Sequence, residues 1–172
     1  VLPTTVTAEF VRGSVDGLQS LPIGVSKKSL DIMCVDLQKV MIYQAAAQDL
    51  GQMIPFLEEL VKLAVLSQIP VQVVDGEQLL TEEACAGAEY QTDELEAFVQ
   101  KLFFEMVARN NDYKDANLDL SILEKYERRL IVIVGMKPLM DRLTDDGKEK
   151  LSVLLEKGEA IYKLHFLIAD GQ

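Results

Sequence analysis

The sequence predicts an α/β fold of three layers, a mostly parallel sheet with helices on both faces. Three observations lead there. Residues 130–134 (LIVIV) are the most β-branched run in the chain, and a short, continuously apolar run suits a central parallel strand buried on both faces. Two further strand-like runs lie at 71–74 (VQVV) and 162–169 (YKLHFLIA). Between the strands, apolar residues recur at i, i+3 and i+4: Leu57, Leu60, Val61, Ala64 and Val65, then Leu95, Phe98, Val99, Leu102, Phe103 and Met106. Alternating strands and helices pair in parallel, and right-handed crossovers place helices on both faces of the sheet.

Composition bounds the function. At 172 residues and 49% hydrophobic, the chain fits one domain with a real core. Its net charge of −11 excludes affinity gained by counterion release on nucleic acid, and disfavours attraction to anionic lipid. Cys34 and Cys85 are too isolated for a disulfide framework or a zinc site and read as ordinary semi-buried thiols. The opening VLPTT has no basic region and no long apolar stretch follows, so neither a signal peptide nor a membrane span is predicted. A start without Met suggests a piece of a longer chain. Residues 1–20 form a turn-rich lead-in, and residues 21–172 the domain.

Taken in order, residues 31–36 (DIMCVD) predict a short strand approaching the next one in hairpin fashion. The next strand is 40–43 (VMIY), followed by a helix over 55–66 that Pro55 confines to a start in its first turn. Residues 77–90 are acidic and irregular. Thr92 is the expected N-cap of a helix running to about Arg109, with 110–117 a polar connector. After strand 130–134 come one or two helical turns at 139–143, a helix capped by Thr144 and running to about Gly158, and the last strand.

Residues 39–54 (KVMIYQAAAQDLGQMI) carry the chemistry that matters most. An apolar strand breaks into small and polar residues and then enters a helix, the layout of a phosphate-binding loop whose helix N-terminus faces an anion. The signature GxxxxGK[ST] is absent: no Lys or Arg lies between Val40 and Leu60, and Gly51 is the only glycine there.

The order of pieces resembles the FtsK/SpoIIIE-type P-loop ATPases, specifically the C-terminal, third and degenerate ATPase module of the type VII secretion membrane motor (EssC-type). LPIGVSKKSLDIMCVDLQ is similar to the family's lead-in, VMIY to the strand before the phosphate loop, RRLIVIVG to the strand ending in the magnesium-associated acid, and KLHFLIAD to the strand after it. The resemblance implies a P-loop NTPase (RecA-like) fold and two candidate site segments. The degenerate phosphate-loop positions are Gln44, Ala45, Ala46, Ala47, Gln48, Asp49, Leu50, Gly51, Gln52 and Met53, and the degenerate acid position is Gly135 with Met136. With Gln44 first, Asp49, Leu50 and Gly51 take the Gly-Lys-Ser/Thr places; with Ala46 first, Gly51, Gln52 and Met53 take them. Neither alignment supplies the lysine for the phosphates or the hydroxyl for magnesium. Gly135 and Met136 stand where the family places its metal acid and its Glu, so nothing remains to stabilise a phosphoryl-transfer transition state.

The expectation is therefore a module with no catalytic residues, no metal and no bound ATP or magnesium. Weak ATP binding or slow hydrolysis is the alternative, and an unrelated α/β interaction module a third. Strand 40–43 lying away from strand 130–134 would favour that third reading and count against the family resemblance. The resemblance implies neighbouring ATPase modules of the same chain and small helical secreted proteins of the WXG100 type as partners, with no nucleic acid. It implies the cytoplasmic side of the bacterial membrane, reached only through other parts of the full-length protein.

Other candidates read as structural. His165 is the single histidine and lacks a second metal ligand. Asp75 and Asp170 read as polar strand ends, and a receiver domain would need acids where Gln44, Ala45 and Ala46 stand. Ser29, Ser121 and Ser152 lack a nucleophile-elbow context. The acidic segment 77–96 reads as a solvated face, or a docking surface. Of Phe103 and Phe104, one should face the core and the other offer an exposed patch, although packing for both is the plainer expectation.

Overall fold

The computed structural model describes residues 37–171. Five strands, all parallel, form one sheet: β1 Ile42–Ala47, β2 Val71–Val74, β3 Glu89–Gln91, β4 Arg129–Val134 and β5 Leu164–Gly171, in the spatial order β1-β5-β4-β2-β3. The α-helices are α1 Ile54–Leu66, α2 Leu95–Asp115, the single turn α3 Met136–Met140, and α4 Asp145–Lys157.

The period-2 alternation of each strand divides the core in two. Leu130, Val132 and Val134 of β4 point to one face with Tyr43, Ala45, Val71, Val73, Leu167 and Ala169, against Phe56, Leu57, Leu60, Val61 and Ala64 of α1. Ile131 and Ile133 point to the other face with Phe166 and Ile168, against Phe98, Val99 and Leu102 of α2 and Leu151 and Leu154 of α4. β4 is buried along its apolar length, as a central parallel strand must be when helices cover both faces.

Several expectations are corrected. Strand 40–43 does not lie beside strand 130–134, because β5 inserts between them and pairs with both. The acidic segment hides a strand: β3 is three residues long and too short to show a period. α2 continues six residues past Arg109, because Arg109 is itself buried, its guanidinium 4.5 Å from the Tyr126 ring centre and its Nη1 donating to the Tyr162 carbonyl at 2.6 Å. Thr92 is not its N-cap; that place belongs to Glu94, in a left-handed conformation with no side-chain cap. The turn expected at 139–143 begins earlier, at Met136, and the last strand is shifted to Leu164–Gly171 behind a 3-10 turn. Thr144 caps α4 as expected, its hydroxyl accepting from the Gly147 N–H at 3.1 Å. The 1–20 lead-in, the 31–36 strand, Ser29 and Cys34 lie outside the described residues.

Candidate functional site

The β1–α1 junction lies at the carboxyl end of the sheet, the end where α/β folds place their ligands. The structure assigns the four residues Gln44, Ala45, Ala46 and Ala47 to β1 rather than to a loop. They pair in register with Ile168, Ala169, Asp170 and Gly171 of β5, and the methyl groups of Ala45 and Ala47 are buried. Pairing thus extends the strand through the small residues and leaves only Gln48 and Asp49 as a turn. Leu50–Met53 then form a 3-10 turn that runs directly into α1.

That short turn is occupied by its own side chain. Asp49 Oδ1 accepts the Gly51 N–H at 3.0 Å, and the Asp49 carbonyl accepts the Gln52 N–H at 3.0 Å. The Gly51 carbonyl in turn accepts the N–H of Ile54. The helical entrance is therefore capped by a carboxylate within the chain, an Asx-type cap that satisfies donors otherwise free at a helix start. β5 closes in from the side, so that a Cβ on Gly171 would lie 2.9 Å from the Leu50 nitrogen.

The second segment lies at the end of β4. Gly135 has φ +85°, a conformation that favours glycine, and its N–H donates to the Ala169 carbonyl at 2.8 Å. The Met136 N–H donates to Asp170 Oδ1 at 2.7 Å, so the carboxylate in this corner comes from β5 and is turned onto a backbone amide. A Cβ on Gly135 would meet the Pro138 ring at 3.1 Å and Leu50 Cδ2 at 3.3 Å. The structure thus brings the two sequence-predicted segments together, and an apolar side chain joins them. Under the first alignment Leu50 holds the place of the phosphate-binding lysine. Under the second the hydroxyl place goes to Met53, which is fully buried in the core beneath α1.

The chemistry of this corner is inverted for a triphosphate. Among the described residues, the carboxylates of Asp49 and Asp170 stand at this corner, and they repel an anion. Lys137, the nearest lysine in sequence, is ion-paired with Asp141 at 2.8 Å. Among the described residues no group of three or more His, Cys, Asp or Glu side chains is placed to hold a metal ion.

No family model matches the chain, and no curated protein matches it. Among solved structures it matches the pCW3 conjugation coupling protein TcpA, in a monomer form with ATPgS, at a TM-score of 0.60 and 17% identity over 78% of this chain. The chain has an α/β P-loop NTPase-like fold. At this identity the likeness is one of fold. The chain spans 44% of the TcpA chain. Because the P-loop-type fold matches with β5 seated between β1 and β4, direct contact of those two strands is the wrong discriminator between a P-loop fold and an unrelated module.

The remaining candidates are held structurally within this fold. Asp75, wholly buried at the end of β2, accepts the Leu79 N–H at 3.0 Å and the Leu80 N–H at 2.8 Å. The Tyr90 hydroxyl lies 2.5 Å from Asp75 Oδ2 and 2.8 Å from the Leu80 carbonyl. The acidic segment is thus a folded loop organised around one carboxylate. Burial, with Asp75 and Glu58 nearby, pushes the Cys85 thiol up to about 11, which leaves it protonated and unreactive. Phe103 is half-buried and Phe104 exposed; they meet edge to face with centroids 5.5 Å apart, and neither reaches the core. His165 is fully buried between two hydrogen-bond partners. Its partner Arg128 carried no warning in the sequence, since a basic pair before a strand reads as solvated.

Proposed function

We propose that this chain is a degenerate, non-hydrolysing ATPase-like module of the type VII secretion motor (EssC-type). In this reading it recognises small helical secreted proteins of the WXG100 type, or regulates neighbouring ATPase modules of the same chain, at the cytoplasmic side of the bacterial membrane. The observation that carries the reading is the corner where Leu50 packs toward Gly135 while Asp49 caps the helical entrance. A phosphoryl-transfer site needs cations and a metal acid at these places, and here they hold an isobutyl group, a carboxylate and a bare glycine. The sequence resemblance to the EssC-type module supplies the secretion context. Among the described residues no helix is long and apolar enough to cross a membrane, which accords with attachment through other parts of a longer protein.

Two assays on the 172-residue chain test this. Phosphate release from MgATP is predicted to match a heat-denatured blank, and titration with a WXG100 protein is predicted to give saturable binding. Turnover that is abolished by Asp49→Ala or Asp170→Ala would overturn the non-hydrolysing reading. Absence of any WXG100 binding would leave regulation of neighbouring modules as the role.

A further inference from the structure

We propose that the outer edge of β3 takes up an extended, lysine- or arginine-rich peptide segment as a further strand of the sheet. β3 (Glu89–Gln91) stands at one margin of the sheet, and among the described residues β2 is its only strand partner. In their parallel ladder Gln72, Val73 and Val74 lie opposite Glu89, Tyr90 and Gln91, and the Asp75 N–H donates to the Gln91 carbonyl at 2.8 Å. A parallel strand turns the N–H and carbonyl of every second residue toward the same neighbour. Glu89 and Gln91 therefore bond to β2, and the N–H and carbonyl of Tyr90 point away from the sheet, toward the place of an added strand.

The edge is held in position for pairing. The Tyr90 hydroxyl is tied to Asp75 at 2.5 Å and to the Leu80 carbonyl at 2.8 Å. The Glu89 carboxylate accepts from Gln72 Nε2 at 2.6 Å and from Gln91 Nε2 at 2.7 Å. An edge fixed in this way loses little freedom when a strand docks on it.

Charge decides which strand docks. From Leu63 to Gln100 the sequence has no Lys, Arg or His. Glu89, Asp93 and Glu94 are exposed on β3 and just after it, and Glu82 lies close enough to act on the Tyr90 hydroxyl. Arg129, which donates to Gln72 at 2.9 Å, is already ion-paired with Glu105. Charged side chains on an edge repel strands of their own sign. An acidic margin on a chain of net charge −11 thus disfavours a second copy of itself and attracts a cationic strand. At the opposite margin β1 is uncharged along Ile42–Ala47 and makes no such selection. Because an edge is covered through its backbone, the occupant must be extended, and this surface is distinct from any that takes a small helical protein.

Two short blocked peptides test this on the 172-residue chain. In one Lys alternates with Val, in the other with Pro; their charge is equal, but proline removes backbone donors and the strand conformation. Fluorescence anisotropy at about 50 mM salt should show saturable binding of the Lys–Val peptide tighter than about 200 μM, and at least about tenfold weaker binding of the Lys–Pro peptide. Hydrogen exchange read by mass spectrometry should show the Lys–Val peptide protecting 87–93 and leaving 129–134 unchanged. Asp93→Lys combined with Glu94→Lys, which leaves the Asp75 network intact, should weaken that binding at least about fivefold. Equal binding of the two peptides, protection away from 87–93, or no saturable binding would overturn the proposal. So would self-association of the chain that protects 87–93, since the edge would then belong to a second copy.

Discussion

Leu50 is the residue on which the two halves of the candidate site meet. Its side chain lies where a Cβ on Gly135 would come within 3.3 Å, so an acid cannot simply be restored at the end of β4. Gly135→Asp is predicted to destabilise the fold by about 1–3 kcal/mol, through the positive φ and the crowding against Pro138 and Leu50, without producing ATPase activity. Urea denaturation checks the first part, and an unchanged midpoint would mean that Leu50 does not fill this corner. Asp75 is the other residue with a large expected effect. Asp75→Ala would strand two backbone N–H groups and leave the Tyr90 hydroxyl only the Leu80 carbonyl, at a cost of about 2–3 kcal/mol, also readable by denaturant. At this scale the sequence displayed no lysine in the phosphate-loop segment and no acid at Gly135 or Met136, but not what fills their places. The replacement is a matter of side-chain direction, which no spacing encodes.

At the scale of elements, the decisive feature is that β1 runs on through Ala47. An alanine run has weak strand preference, and only pairing with β5 in parallel register draws it into the sheet. That pairing is tertiary, which is why the run read as a loop. The long helix α2 was foreseeable only as far as its apolar stripe lasted, and the buried Arg109 that prolongs it broke the pattern. α2 also supplies a cap to its neighbour. Glu96 Oε1 accepts the Thr144 N–H at 2.8 Å and hydroxyl at 2.9 Å; the Gln100 hydrogen bond first, and then these, hold its carboxyl below the usual range. A Cβ at Gly147 would overlap that carboxylate. Gly147→Ala should therefore push the Glu96 carboxylate off Thr144, offsetting the roughly 1 kcal/mol that Ala gains over Gly inside a helix, and in a Glu96→Ala background the same substitution should raise the melting temperature.

For the molecule as a whole, the three-layer architecture was legible because β4 is a continuously apolar, β-branched run and because α1 and α2 carry the helical period. The strand order was not legible, since nothing local places β5 between β1 and β4. Acid stability is a whole-molecule property with a definite sign. His165 is held near 4 in the fold against 6.5 when exposed, so below 6.5 the unfolded chain binds the proton more readily. Its contribution is complete above pH 6.5 and is lost as pH falls towards 4, by up to about 3 kcal/mol, and His165→Gln should flatten that part of the stability profile.

The central claim is that the P-loop-type fold persists here without its nucleotide chemistry, and calorimetric titration of the 172-residue chain with MgATP tests it most directly. The account predicts no saturable heat up to about 1 mM ligand, a level corresponding to about −4 kcal/mol of binding. A dissociation constant tighter than ~100 μM would require about −5.5 kcal/mol from a corner holding two carboxylates and a leucine, and would contradict it.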